Sequence, residues 1–382
     1  MPFPSSKSIK AGDNQNTANA SEARLGKLRQ RMAQLRLDSL LVSSLPNVHY
    51  LTGFTGSSGA LLLTAGQTMF FTDSRYELQS HLEVKEAKIQ ISKGDALLAA
   101  ARWGSAQPLG RTGFDSGTLT VHQHTRLKEL LAASRRKKSA PRLVPALNLV
   151  EDLRAVKDAA EIELIRQAVH LGSRCFEETL PLLKSGIREF ELAAEIEYRM
   201  RLYGGEKQAF ETIIAFGDRT ALPHARPTGR RLKANEFVLF DLGVILSGYC
   251  SDMTRTVYWG KAPAKAKKMY NAVLDAQLAS EAVVHAGLSC GDADRAARRV
   301  LEKRGYGRYF SHSTGHGLGL EIHENPRVAA KQKTLLEEGM AITIEPGAYI
   351  PGVGGVRIED VVIVRKDHAE VLTQTPKQLL EL

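Results

Sequence analysis

The sequence is short of cysteine, of aromatic residues and of long apolar runs, and each shortage removes a class of protein. Three cysteines, Cys175, Cys250 and Cys290, in 382 residues are too few and too far apart to form a disulfide framework. We expect reduced thiols used as small core residues in a cytoplasmic, reducing setting. No apolar stretch approaches the length that crosses a bilayer, so no membrane partner is expected. Aromatic residues make up 6% of the chain, and none interleaves the densest basic cluster, "RRKK" at 135–138. Despite the formal charge of +10, that cluster reads as a solvated loop, and no nucleic-acid partner is expected. Residues 1–20 carry lysines with no apolar core behind them, so they read as a disordered tail rather than a secretory signal.

What remains is an ordinary globular composition, 43% hydrophobic and 25% charged, over a length that favours two domains. Ser21 is positioned to cap a helix bearing Leu25, Leu28, Met32 and Leu35. Short strand-like runs follow at 39–43, 59–64, 69–73 and 88–92, alternating with helical stretches such as "ALLAAARWG" and "VHQHTRLKELLAAS". That alternation predicts an α/β domain over 21–149. One long charged helical run from 151 to Gly186 opens a second domain over 150–382, followed by a helix with Phe190, Ala193, Ile196 and Met200 on one side.

Beyond residue 236 carboxylates stand where strands need apolar residues. "FVLFDLG" drives Asp241 into an apolar run, where an unpaired charge costs several kcal/mol. A hairpin over "DLGVILSGYCSD", turning between Leu246 and Ser247, sets Asp241 opposite Asp252, two like charges that call for a cation between them. "MAITIEPGAY" ends a strand-like run at Glu345, and "GGVRIEDVVIV" places Arg357 and Glu359 on one strand face, with Asp360 on the other as a strand-edge charge. "HSTGHGLGLEIHEN" gathers three histidines among glycines that let its backbone approach something closely, with Glu321 and Glu324 expected to face solvent or play a supporting part. Two Asp, two Glu and one imidazole from that segment make an oxygen-rich ligand set whose four negative charges two divalent ions balance.

Four of these segments, "FDLGVILSGYCSDMTRT", "HSTGHGLGLEIHE", "ITIEPGAY" and "GGVRIED", resemble the signature segments of the pita-bread metallopeptidases, in the branch of aminopeptidase P and prolidase. "NVHYLTGFTGSSGALLL" and "FFTDSRY" resemble the creatinase-type amino-terminal domain of that branch. The resemblance implies an α/β (α+β) fold class, a creatinase-like α/β domain followed by a pita-bread catalytic domain. It implies Asp241, Asp252, His316, Glu345 and Glu359 as ligands of two divalent metal ions, Mn²⁺ first, with Co²⁺, Zn²⁺ or Fe²⁺ as alternatives. Glu345 would also accept a proton from water, His224 and His323 would hold the substrate and stabilise the intermediate, and His312, Tyr349 and Arg357 would line the substrate pocket.

The implied activity is hydrolysis of the amino-terminal Xaa-Pro bond of proline-containing peptides by a homodimer, in the manner of aminopeptidase P. An Xaa-Pro dipeptidase (prolidase) is the alternative; a creatinase- or ectoine-type hydrolase and a non-catalytic binding module are more distant ones. Phe216 and Arg226 depart from the small residues often found there in relatives, which points to an altered pocket wall.

Overall fold

The computed structural model describes residues 11–132 and 141–382; the first ten residues of the expected tail and the basic cluster at 135–138 lie outside them. Two compact units, Met1–Arg154 and Ala155–Leu382, divide the chain.

In the first unit the elements run α1 (Ala11–Gln34), β1 (Ser39–Val42), α2 (Leu45–Thr52), β2 (Ala60–Thr64), β3 (Thr68–Asp73), α3 (Glu77–Glu83), β4 (Lys88–Ser92), α4 (Ala96–Gly104), β5 (Arg111–Asp115), α5 (Val121–Ala132), β6 (Arg142–Ala146) and α6 (Glu151–Ala155). The strands form one mixed sheet in the order β4-β3-β2-β1-β5-β6. Its central strands are apolar on both faces, and Leu41, Leu62 and Phe71 meet Leu97, Ala100 and Leu127 of α4 and α5. Each such Leu or Phe contributes about 1.5–3 kcal/mol by leaving water. The first helix differs from the expectation: it begins at Ala11, so Ser21 lies inside it and caps nothing. Leu25, Leu28 and Met32 are buried as their spacing predicts, but Leu35 falls just past the helix end and is exposed.

The second unit opens with α7 (Ala159–Thr179) and α8 (Glu189–Leu202). The single helical run expected over 151–186 is broken at Asp158, whose side chain accepts from the Glu161 N–H while Glu161 returns to the Asp158 N–H. This capping box starts α7, after α6 has ended at Ala155. On α8, Leu192, Ala193, Ile196 and Met200 are buried, whereas Phe190 is exposed and stacks under the Arg188 guanidinium.

Then follow β7 (Lys207–Gln208), β8 (Ile213–Phe216), β9 (Glu236–Leu242), β10 (Val244–Leu246), β11 (Tyr249–Cys250), β12 (Met253–Trp259), α9 (Ala264–Val283), α10 (Cys290–Lys303), β13 (Gly315–Gly317), β14 (Glu324–Val328), β15 (Ala341–Ile344), β16 (Gly347–Ile350), β17 (Gly354–Arg357), β18 (Asp360–Val364) and β19 (Ala369–Val371). Three antiparallel sheets position the site: β12-β9-β8, β14-β13-β15-β18-β19 and the hairpin β16-β17. α7 and α8 cover the first through Phe176, Ile196, Phe240 and Met253, and α9 and α10 cover the others through Met269, Val273, Ala297 and Ile358. Phe216 is wholly inside the first of these cores, so it is no pocket wall.

Two expectations shift by small amounts. The hairpin turn sits at Ser247 and Gly248, both with positive φ, one residue later than the midpoint of the two aspartates. Asp241 therefore pairs with Thr254, and Asp252 lies two residues earlier on that chain, diagonal to Asp241. The "GGVRIEDVVIV" stretch is two strands, not one. β17 pairs with β16, and β18 crosses to β15 and β19, with Ile358 and Glu359 at the junction.

Candidate metal centre

Asp241 is the penultimate residue of β9, Asp252 precedes β12, His316 is central in β13, Glu345 follows β15, and Glu359 stands between β17 and β18. Side-chain atoms of Asp252, His316 and Glu359 come within 4.8 Å of one another. His316 Nε2 lies 3.6 Å from both Asp252 Oδ2 and Glu345 Oε1. Its Nδ1 lies 3.0 Å from the Gly317 carbonyl oxygen, which can only accept, so Nδ1 carries the proton and Nε2 presents its lone pair to the carboxylates. Burial brings the His316 pKa down to about 4, which keeps the ring neutral. The flanking glycines explain the close seat of β13. A Cβ on Gly315 would lie 1.9 Å from the Thr343 oxygen, and one on Gly317 2.2 Å from the Asn325 oxygen.

All four carboxylates are raised from their ordinary pKa. For Asp252 and Glu345 the cause is burial first and Glu359 next, both well above the usual range. Burial and then Asp241 push Glu359 up to about 8. Asp241 is raised by burial against the opposing pull of Arg357. Its Oδ2 accepts from Arg357 Nη2, while its buried Oδ1 has no hydrogen-bond partner.

An orphaned carboxylate oxygen beside three further acids and one neutral imidazole is the donor set of divalent cations, so the residues present fit metal. Arg357 already supplies one positive charge. Two divalent ions added to it leave a single positive charge over, available to an anionic group of water or substrate.

Residues 163–366 match the family described as "Metallopeptidase family M24", and residues 24–156 match "Creatinase/Prolidase N-terminal domain". The chain is 36% identical to the Xaa-Pro dipeptidase of Pyrococcus furiosus, over 94% of this chain and 99% of that one. This chain belongs to metallopeptidase family M24. A solved Xaa-Pro dipeptidase from Bacillus anthracis superposes with a TM-score of 0.90 at 37% identity, covering 95% of this chain and all of that one. An X-Pro aminopeptidase from Thermotoga maritima gives 0.85 at 30% identity, over 92% of this chain and all of the other. The fold is thus the creatinase-type domain followed by the pita-bread domain of M24 metallopeptidases. Among the described residues, no helix is long and apolar enough to cross a membrane.

Around the M24 cluster the remaining expected residues divide in two. Arg357 reaches Asp241, the Thr254 hydroxyl (3.0 Å), the Tyr349 hydroxyl (2.8 Å) and the Pro223 carbonyl (3.1 Å). Tyr349 in turn lies 2.8 Å from His312 Nε2, and His312 Nδ1 faces the Ser313 carbonyl. By the same tautomer argument Nε2 accepts and the tyrosine donates, which fixes His312 as a neutral ring; burial lowers its pKa to about 4. His224 and His323 are the exposed pair. The His323 ring centroid is 4.4 Å from that of His316. His224, next to the Pro223 carbonyl that Arg357 holds, influences the titration of Asp241, His312 and His323. Arg226 points outward and pairs with Glu211, with its side chain 82% exposed.

Sequence reasoning missed the residues that hold these in place. Thr254 donates to Glu359 Oε2 at 2.6 Å, a contact that two-residue alternation from Asp252 could have suggested. Buried Asp294 accepts from the Thr314 N–H and hydroxyl, and its partner Arg298 donates to the His312 carbonyl. Glu324 does not face solvent: its side chain is 5% exposed, 3.0 Å from the equally buried Lys157 Nζ, and it accepts from the Glu321 N–H in the loop that carries His323. Asp360 is no strand-edge charge either, being fully buried.

Proposed function

We propose that this chain is a metal-dependent Xaa-Pro dipeptidase, in which Asp241, Asp252, His316, Glu345 and Glu359 hold two divalent ions. This departs from the longer-peptide reading of the sequence. The observation that carries it is a buried cluster of four carboxylates and one neutral imidazole, with Asp241 Oδ1 unpartnered, in a chain whose full-length relatives include Xaa-Pro dipeptidases at 36% and 37% identity. Arg327 also favours a short substrate. It sits directly opposite His316 in the β13-β14 register, hence on the same sheet face, and is exposed, so we read it as the cation that would take a free proline carboxylate.

Divalent ions bound there supply Lewis acidity and acidify a water near the scissile carbonyl. The protein residues do the rest. The bond before proline is a tertiary amide whose nitrogen must gain a proton to leave. Glu345, largely buried beside His316 in the cluster, takes the proton of the attacking water and passes it to that nitrogen. His224 and His323, on the open side, hold the substrate carbonyl and stabilise the oxyanion as it forms. The chain of contacts from Asp241 through Arg357 and Tyr349 to His312 fixes the opposite wall. Mn²⁺ is the first choice of metal, because oxygen ligands with one imidazole suit it. A cytoplasmic homodimer belongs to the same reading. Three buried free thiols accord with a reducing compartment, and light scattering of the purified protein tests the dimer.

The test is hydrolysis of Ala-Pro beside Ala-Pro-Ala by Mn²⁺-loaded protein, with Glu345→Ala as the inactive control. Faster turnover of the dipeptide is expected. Preference for the tripeptide makes the chain an aminopeptidase P, the reading that the Thermotoga maritima structure favours. Cleavage of neither under several metals overturns both.

A further inference from the structure

Directly behind Glu359 lies a second buried charged cluster, to which no role has been assigned above. Arg255, on β12, is 2% exposed, and every nitrogen of its guanidinium is engaged. Nη1 donates to the carbonyl oxygens of Thr254 (2.9 Å) and Glu359 (2.6 Å). Nη2 donates to Asp360 Oδ1 and the Thr375 carbonyl (both 2.7 Å), and Nε to the Pro376 carbonyl (3.2 Å). The other oxygen of Asp360 takes Lys377 Nζ (2.6 Å) and Gln277 Nε2 (2.9 Å), and Lys377 also meets Glu281. Two acids and two bases close on themselves, with no charge left for a ligand.

We propose that the Arg255–Asp360 pair is a positioning device for the metal ligand Glu359. The inference rests on the metal reading given above. Thr254 and Glu359 form one unit: the Thr254 hydroxyl grips the Glu359 carboxylate, and the Glu359 N–H donates to the Thr254 carbonyl. A single Arg255 nitrogen ties the carbonyls of both residues together, and Asp360 fixes the guanidinium that does it. The Glu359 carboxyl offers a ligand atom within 4.8 Å of those of Asp252 and His316, so its exact seat decides whether the three can share an ion. A backbone clamp is what holds it there until an ion arrives. For fold alone, a well-packed apolar pair of similar volume serves as well or better than a buried ion pair. A lysine in place of Arg255 keeps the charge near Asp360 but lacks the planar fork that reaches both carbonyls.

The experiment is Mn²⁺ titration of metal-free protein, followed by the electron paramagnetic resonance of free Mn²⁺, for wild type and Arg255→Lys. Loss of about 10- to 100-fold in affinity for one ion is expected, as when a partner that orients a metal ligand is removed. kcat for Ala-Pro falls with KM little changed, and excess Mn²⁺ recovers part of the activity. Val273→Ala, a fully buried change on α9, is the control: it lowers thermal stability and leaves Mn²⁺ affinity as in wild type. Should Arg255→Lys not fold, the double change Arg255→Met with Asp360→Asn removes both charges together and gives the same loss of affinity. Mn²⁺ affinity within twofold of wild type in the folded variant overturns the proposal, as does an equal loss in Val273→Ala. A wild type that binds no Mn²⁺ overturns the metal reading itself.

Discussion

Glu359 and Asp360 are consecutive carboxylates, 2% and 0% exposed, and they behave in opposite ways. Burial and the neighbouring Asp241 push Glu359 up to about 8. Burial acts on Asp360 in the same sense, yet Arg255 and Lys377 more than reverse it and hold the group below its ordinary value. Both are carboxyl groups at the same depth, so their neighbours separate them. Around Asp360 the protein supplies its own counter-charges; around Glu359 it supplies more acids and a single arginine already tied to Asp241. A buried charge that a fold leaves uncompensated is where a ligand is to be sought, and a compensated one is where structure is held.

Substituting the two neighbours in turn breaks the comparison most directly. Glu359→Gln removes one of four crowded acids. Activity on Ala-Pro and Mn²⁺ binding are expected to fall by more than about a hundredfold, beyond the cost of losing a residue that merely orients a ligand. The metal-free protein, relieved of like-charge repulsion, is expected to melt at a higher temperature than wild type. A lower melting point in the metal-free variant removes the idea that this basin is strained without metal. Asp360→Asn acts the other way. It leaves Arg255 buried without its partner, and urea unfolding is expected to show a loss of about 3–5 kcal/mol.

The same contrast accounts for what the sequence disclosed. Asp241 was legible because an acid in "FVLFDLG" is out of place, whereas the single-strand alternation that set Arg357 and Glu359 on one face gives way to two strands with Glu359 at their junction. The hairpin was legible to within a residue; the positive φ of Ser247 and Gly248, which sets the register, is a backbone property that many sequences share. Which of the three histidines between 312 and 323 meets the acids came from the family resemblance, and the Nδ1 contact of His316 with Gly317 gives a physical reason for it. Asp360 was misread because its partners, Arg255 and Lys377, lie on other elements, and Arg255 is 105 residues away in sequence. Lys157 and Glu324 are 167 residues apart and escaped for the same reason. Apolar periodicity reports which way a side chain faces and carries no information about which distant charge meets it.

Glu281 sharpens the comparison from within the balanced cluster, at a smaller scale. Burial, then Asp360, push its carboxyl up to about 7, against the pull of Lys377. The folded state therefore binds more protons than the unfolded chain between the ordinary glutamate pKa and about 7. Stability contributed by this group is present at the acid end of that window and is lost as pH rises through it. Glu281→Gln cannot titrate, so its stability relative to wild type is expected to improve by on the order of 2 kcal/mol from pH 5 to pH 7.5. Urea unfolding of both proteins across that range measures it, and parallel curves show that Lys377 keeps Glu281 ionised throughout.

The smallest effect isolates burial from geometry. Arg126 and Glu129 on α5 form an ion pair at 2.8 Å, nearly the 2.7 Å of Arg255 and Asp360, but their side chains are 49% and 56% exposed. Water screens the exposed pair, and two long side chains give up rotamer freedom to make it. The buried pair has no such screening, and either member left alone has no water to turn to. Arg126→Ala is accordingly expected to change the free energy of unfolding by less than about 0.5 kcal/mol, several times less than Asp360→Asn. The two variants measured in one urea series decide whether bond length or surroundings sets the worth of an ion pair in this protein. A comparable loss from both shows that the depth of Asp360 gives it no special standing, and the contrast with Glu359 then rests on metal binding alone.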